Sequence, residues 1–336
     1  MNAPLATKTI RLLPKDYATD QEVRWCPGCG DYAILKAVQK ALADLQADPA
    51  RTVFVSGIGC AARFPYYIET YGFHTIHGRA PAVATGLKLA NPDLDIWVVG
   101  GDGDMLSIGG NHLVHALRRN VDLNILLFNN EIYGLTKGQY SPTSRVGTRS
   151  PSTPGGSIDT PLHALGLALG AGARFIARGI DTQQKILPEI LKAGRNHKGA
   201  ALTEIIQNCI VYNDNAFSSF TERQVEAEAQ VHLVHGEPLI FGKDRDKGLR
   251  LNEKGTALEV FALADGDPVV HDVHDRHLAF LLASMEQPMP VAVGIILDDP
   301  APASYDRAVE AADAAERRDD AKLADVLRQT ATWHMG

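Results

Sequence analysis

Gly100-Gly101-Asp102-Gly103-Asp104 follows the apolar run Ile96–Val99, and Asn129-Asn130 follows a second run ending at Phe128. Glycines that admit close backbone N–H groups, with a carboxylate and an amide nearby, suit a hard cation and a diphosphate. Magnesium takes near-octahedral oxygen ligands and shares them with substrate phosphates. Asp102 offers a carboxylate oxygen, Asn130 an amide oxygen and the Ile132 carbonyl a third. A plain strand-to-helix turn, with Asp102 or Asp104 as the helix cap, explains a lone Gly-Asp-Gly. It does not explain Asn130 at the next strand end.

The second set of donors is sulfur. The chain has four cysteines, Cys26, Cys29, Cys60 and Cys209. Cys26-Pro27-Gly28-Cys29 is a CxxC pair, Cys60 closes Gly57-Ile58-Gly59-Cys60, and Cys209 follows an apolar strand. Four thiolates meet the needs of one iron–sulfur cubane or one structural zinc. A thioredoxin-type pair, or small buried hydrophobes, are the plainer readings. Two cysteines leaving strand ends on the face that carries Asp102 and Asn130 favour a metal centre, and composition leaves zinc and cluster both open.

These residues need a scaffold that brings strand ends together. The pattern predicts a helix from Asp31, as its cap, to about Leu45, then strands at 52–56, 73–77, 95–100 and 122–128. Helices are expected at 82–90, with Pro81 in the first turn, and at 107–119. Helices at 162–170 and 182–193 alternate with strands at 174–177 and 201–206. Such alternation argues for an α/β fold with a doubly wound, mostly parallel sheet, whose ligands bind outside the carboxyl ends of its strands. The Gly/Ser/Thr/Pro-rich stretch 134–160 is too long for an idle connection, so it reads as a functional loop. Residues 1–24 read as an arm, 25–215 as the binding domain and 216–336 as a C-terminal extension. In that extension we expect a helix near Glu222–Val234, a charged, turn-rich stretch at 242–254, a strand at 290–297 and two terminal helices.

Composition sets outer bounds. The 336 residues are 45% hydrophobic and 22% charged, as in an ordinary globular protein. A net charge of −7 speaks against nucleic acid as a partner. No apolar run reaches a membrane span and the first twenty residues lack a signal-peptide core, so a cytoplasmic location is expected. His112 and His115, spaced i, i+3, and His74 read as packing or polar-network residues; His77, at a strand end, reads as a diphosphate contact.

Gly101-Asp102-Gly103 with Asn130 is similar to the magnesium–diphosphate motif of thiamine-diphosphate enzymes. Over residues 20–215 several further fragments occur in one family's order: Trp25–Gly30, Gly57–Cys60, His77–Ala80, Gly101–Asp104, Gly109–His112, Asn130–Gln139 and Gln207-Asn208-Cys209. That family is the beta subunits of 2-oxoacid:ferredoxin oxidoreductases, and the bacterial 2-oxoglutarate members resemble this chain most. The resemblance implies a [4Fe–4S] cluster on the four cysteines and magnesium on Asp102, Asn130 and the Ile132 carbonyl. It implies thiamine diphosphate lined by Gly57, Ile58, Gly59, Cys60, His77, Gly78, Gly101, Gly103, Asp104, Gly134, Leu135 and Thr136. The implied reaction is oxidative decarboxylation of 2-oxoglutarate to succinyl-CoA, or its reverse, with electrons passing to ferredoxin. No convincing activating glutamate stands on this chain, so the resemblance assigns it to a partner alpha subunit, in a complex of two alpha and two beta chains. That partner also brings most coenzyme A contacts. Arg63 and Lys137 are the candidates for a substrate carboxylate. The sequence departs from the commonest pattern at Ala61-Ala62 and at Asn129, a position often acidic in the family. Alternatives are the same chemistry on pyruvate or branched-chain 2-oxoacids, and a non-catalytic, zinc-stapled nucleotide-binding module.

Overall fold

The computed structural model describes residues 11–301, 303–316 and 323–328; the first ten residues of the expected arm lie outside them. Buried parallel strands form where continuous apolar runs end in glycine or polar residues. The strands are β1 (Thr52–Ser56), β2 (Tyr71–His74), β3 (Asp95–Gly101), β4 (Asn124–Asn129), β5 (Ile132–Tyr133), β6 (Gln139–Tyr140), β7 (Phe175–Ile180) and β8 (Ala201–Ile206), then β9 (Gln230–Leu233), β10 (Ile240–Phe241), β11 (Lys247–Leu251), β12 (Leu258–Ala262) and β13 (Val291–Asp298). The main sheet has the order β2-β1-β3-β4-β8-β7-β13-β9. Its first six strands are parallel, and β13 runs antiparallel to β7.

The helices are α1 (Asp31–Leu45), α2 (Ala80–Ala90), α3 (Asp102–Leu106), α4 (Gly110–Arg119), α5 (Ala164–Gly170), α6 (Leu187–Asn196), α7 (Ser218–Thr221), α8 (Glu226–Ala229), α9 (Arg276–Ala283), α10 (Tyr305–Glu316) and α11 (Leu323–Arg328). Alternation along each strand splits the core in two. Val53, Val55, Ile96, Val98, Ile125 and Leu127 pack with α2, α4, α5 and α9. Phe54, Trp97, Val99, Leu126 and Phe128 pack with α1 and α6 on the other face. Phe54 and Trp97 stack with centroids 5.6 Å apart. Among the described residues, no helix is long and apolar enough to cross a membrane.

Chain order reverses at β1. The connection leaving β1 goes to β2 on one side and that leaving β3 goes to β4 on the other, so the crevice between β1 and β3 is a topological switch point.

Several expectations need correction. The helix expected at 107–119 is α4, which begins only at Gly110; a separate short helix, α3, precedes it, and the two part at Ser107–Gly109, where Gly109 packs against the Gly78 turn and the Asp104 carbonyl with no room for a Cβ. Asp31 is not a cap but the first residue of α1, and it is 1% exposed. The strand expected at 73–77 lies at 71–74, an exposed edge. The helix expected near 222–234 is absent. Within that stretch only the single turn α8 forms, just after α7, and Gln230–Leu233 is instead drawn into strand pairing with β13. The charged stretch 242–254 contains β11, the centre of a small antiparallel sheet with β10 and β12.

Candidate active site

Four neighbouring strands each deliver one part of the site at their carboxyl ends. β1 leads into Gly57–Cys60, β3 into Asp102, β4 into Asn130, and β8 into Gln207–Cys209. Cys26 and Cys29 arrive from the turn before α1. Gly30 N–H donates to the Asn208 carbonyl (3.2 Å) and Trp25 Nε1 to the Cys60 carbonyl (2.8 Å). These bonds tie the CxxC turn to both remaining cysteine loops. Gly30 must be glycine, since a Cβ would fall 2.0 Å from Asp181 Oδ2.

A cavity of about 550 Å³ opens at this edge, a size suited to a cofactor. Of the residues expected around a cofactor, all line it except Gly57 and Gly78. Those two serve behind it. A Cβ on Gly57 would strike the Asp104 carboxylate at 1.9 Å, and Gly78 turns at φ 71° against Gly109. Asp104 pins two loops through one oxygen, which takes Gly78 N–H (2.7 Å), Ile58 N–H (3.2 Å) and His77 Nδ1 (2.7 Å). Its other oxygen is buried without a partner.

Asp102 is 1% exposed, and burial raises its pKa. Opposing this, the hydroxyls of Ser141 (2.6 Å) and Thr143 (2.5 Å) both donate to Oδ2. Oδ1 receives no side-chain donor among the described residues and is left for a cation. Ser141 and Thr143 belong to the 134–160 loop, which the sequence marks as functional without marking these residues. Behind Thr143, Asn129 Nδ2 donates to Glu204 Oε1 (2.8 Å), whose other oxygen pairs with Arg178 Nε at 2.8 Å. An acid at position 129 would face the Glu204 carboxylate, so an amide suits this chain.

The thiols gather beside the same cavity. A Cβ on Gly134 would lie 3.3 Å from Cys209 Sγ and 3.8 Å from Cys60 Sγ. Burial, then Asp31, raises the Cys29 pKa, and the same two causes push Cys60 up to about 12. No three of the four sulfurs lie mutually within 4.8 Å. Tetrahedral zinc would hold thiolates about 3.8 Å apart. The four thiols as they stand are not drawn together as one zinc ion would hold them.

Other candidates sit apart. Arg63 Nη1 donates to the Arg24 carbonyl (3.3 Å) in a separate cavity of about 380 Å³, and Lys137 is exposed in the turn between β5 and β6. Neither lines the main cavity. Glu131, with φ 55°, faces a different cavity and pairs with Arg145 (3.1 Å); burial pushes its carboxyl up to about 7. His115 accepts from Arg118 (3.2 Å) and His74 meets Tyr66 (3.1 Å), both outside the site.

Comparison with known proteins identifies the family. Residues 57–205 match the family model of the thiamine pyrophosphate enzyme C-terminal TPP-binding domain. The chain is 52% identical over 289 residues to the 2-oxoglutarate oxidoreductase subunit KorB of Mycobacterium tuberculosis, spanning 84% of this chain and 77% of that one. It is 51% identical over 198 residues to the 2-oxoacid:ferredoxin oxidoreductase 1 subunit beta of Aeropyrum pernix, spanning 59% and 62% respectively. A solved structure of the 2-oxoglutarate:ferredoxin oxidoreductase from Magnetococcus marinus, with 2-oxoglutarate, coenzyme A and succinyl-CoA bound, superposes with a TM-score of 0.78 at 31% identity, covering 97% of this chain and 98% of that one. The chain belongs to the beta subunits of the 2-oxoacid:ferredoxin oxidoreductases, and carries their thiamine-diphosphate-binding domain.

Proposed function

We propose that this chain is the beta subunit of a 2-oxoglutarate:ferredoxin oxidoreductase, which decarboxylates 2-oxoglutarate oxidatively to succinyl-CoA and passes the electrons to ferredoxin. The observation that carries the reading is the convergence of oxygen donors (Asp102, Asn130, the Ile132 carbonyl) and all four thiols on one sheet edge. The relatives that act on 2-oxoglutarate support the choice of substrate. The oxygens would hold magnesium and with it the diphosphate of thiamine; the cysteines would hold a [4Fe–4S] cluster. The spread of the sulfurs supports the cluster over zinc.

When bound, thiamine diphosphate supplies the electron sink for decarboxylation, and the cluster supplies a one-electron carrier. This chain's own residues do the positioning. Ser141 and Thr143 fix Asp102, and Asp104 holds the His77–Gly78 turn in place, where it would meet the diphosphate. Gly134 keeps the loop over the cofactor in contact with Cys60 and Cys209, so the two groups would sit as neighbours. Arg63 and Lys137 remain our candidates for the distal substrate carboxylate. Glu131 lines a different cavity from the one proposed for the cofactor, which supports placing the activating glutamate on the alpha partner.

The test is anaerobic purification of the complex with its alpha partner, followed by viologen reduction with each 2-oxoacid and coenzyme A. The reading expects iron without zinc and a preference for 2-oxoglutarate. A preference for pyruvate contradicts the substrate, and turnover by this chain alone contradicts the shared site.

A further inference from the structure

Gln207 is the first residue past β8, is 2% exposed, and has no assigned task in the site just proposed. Its side-chain amide touches a candidate ligand of each centre. Nε2 lies 2.7 Å from the Asn208 carbonyl and 3.3 Å from Cys29 Sγ. Oε1 lies 2.6 Å from Asn130 Nδ2.

The orientation follows from hydrogen-bond chemistry. A carbonyl can only accept, so the Asn208 carbonyl requires the NH₂ group of Gln207 on its side. The second proton of that NH₂ then faces the Cys29 sulfur. Oε1 is left as an acceptor, and Asn130 must turn its own NH₂ toward it. Asn130 Oδ1 is thereby directed away from Gln207, where it accepts Ile132 N–H (3.2 Å) and keeps a lone pair for a cation. The backbone holds the arrangement: Gln207 N–H donates to the Asn129 carbonyl (2.9 Å), and Asn213 Nδ2 to the Asn130 carbonyl (2.8 Å).

We infer that Gln207 is a positioning residue shared by both centres: it sets the amide of Asn130 for magnesium and donates an N–H···S bond to Cys29 that raises the potential of the cluster. The inference rests on the cofactors proposed above. Partners of this kind, one bond behind a metal ligand, are worth about 10–100-fold in metal affinity. Hydrogen bonds to cluster sulfurs stabilise the more negative, reduced state and so lift the reduction potential.

The two tasks separate by substitution. Gln207→Met removes both bonds. Gln207→Glu retains an acceptor for Asn130 and removes the donor to Cys29. In the purified alpha–beta complex, Mn²⁺ binding in the presence of thiamine diphosphate is followed by EPR, and the cluster midpoint by an EPR-monitored redox titration. For Gln207→Met we expect Mn²⁺ affinity to weaken about 10–100-fold and the midpoint to fall. For Gln207→Glu we expect Mn²⁺ affinity near wild type with a lowered midpoint, and this variant carries the test if the methionine variant does not assemble. A methionine variant that changes in only one property overturns the shared role, as does a glutamate variant with an unshifted midpoint. A wild-type complex without Mn²⁺ uptake or a cluster signal overturns the proposed cofactors themselves and this inference with them.

Discussion

Asp102 and the four cysteines occupy one sheet edge but are prepared to different degrees. The Asp102 carboxylate already has two hydroxyl donors on Oδ2, which fix its position and offset part of the burial that raises its pKa. Cys29 and Cys60 have no nearby cationic group strong enough to offset burial and the Asp31 carboxylate, and their thiols are held protonated. A cation on the oxygens would thus meet a ligand already positioned by hydroxyls, whereas ligation by the sulfurs would need the positive charge of a metal. Cluster assembly should release protons and lock the CxxC turn to the sheet, as coordination coupled to folding does.

The largest effect expected from this contrast is loss of a sulfur ligand. Cys209→Ser should abolish the cluster EPR signal and ferredoxin-linked turnover, while thiamine diphosphate binding survives. Loss of both together would mean the halves are not separable. Next comes the oxygen side. Thr143→Val should weaken Mg²⁺ binding about 10–100-fold, measured by titration of thiamine diphosphate fluorescence quenching, and Thr143→Ser should restore it. A serine variant as weak as valine would assign the effect to shape and not to the hydroxyl.

The third effect is a pH dependence. Burial, opposed in part by Cys29, pushes Asp31 up to about 7, and burial likewise pushes Glu131 up to about 7. Between about pH 4 and pH 7 the folded chain keeps protons that the unfolded chain gives up, so these groups make stability fall as pH rises. Thermal melts of the iron-free chain should show this slope, and Asp31→Asn should flatten it. A slope of the opposite sign in that window contradicts the assignment. The smallest effect concerns specificity. Arg63→Met should raise KM for 2-oxoglutarate more than for 2-oxobutyrate, with kcat little changed. Equal changes would remove Arg63 from the substrate site.

What the sequence revealed follows the same division. Buried parallel strands are unbroken apolar runs, so β1, β3, β4 and β8 were legible, and with them every residue placed directly at a strand end. Asp102, Asn130, Cys60 and Cys209 needed only the rule that parallel strands deliver their ends to one edge. The short polar strand Gln230–Leu233 was not legible, because its pairing with β13 overrides a helical-looking pattern. Nor were Ser141, Thr143 and Gln207 as supports: each acts through a partner far away in the chain, and no local spacing encodes Thr143 above Asp102 or Gln207 between Asn130 and Cys29. The 134–160 loop was recognisable by its length and composition, but not by the hydroxyls that matter in it.

The claim beneath all of this is that the cation held by Asp102 and the cluster held by the cysteines are neighbours across one sheet edge. It is tested most directly by replacing Mg²⁺ with Mn²⁺ in the alpha–beta complex and measuring Mn²⁺ spin relaxation with the cluster oxidised and reduced. We predict markedly faster Mn²⁺ relaxation once the cluster becomes paramagnetic. Relaxation indifferent to the cluster's state would contradict the account.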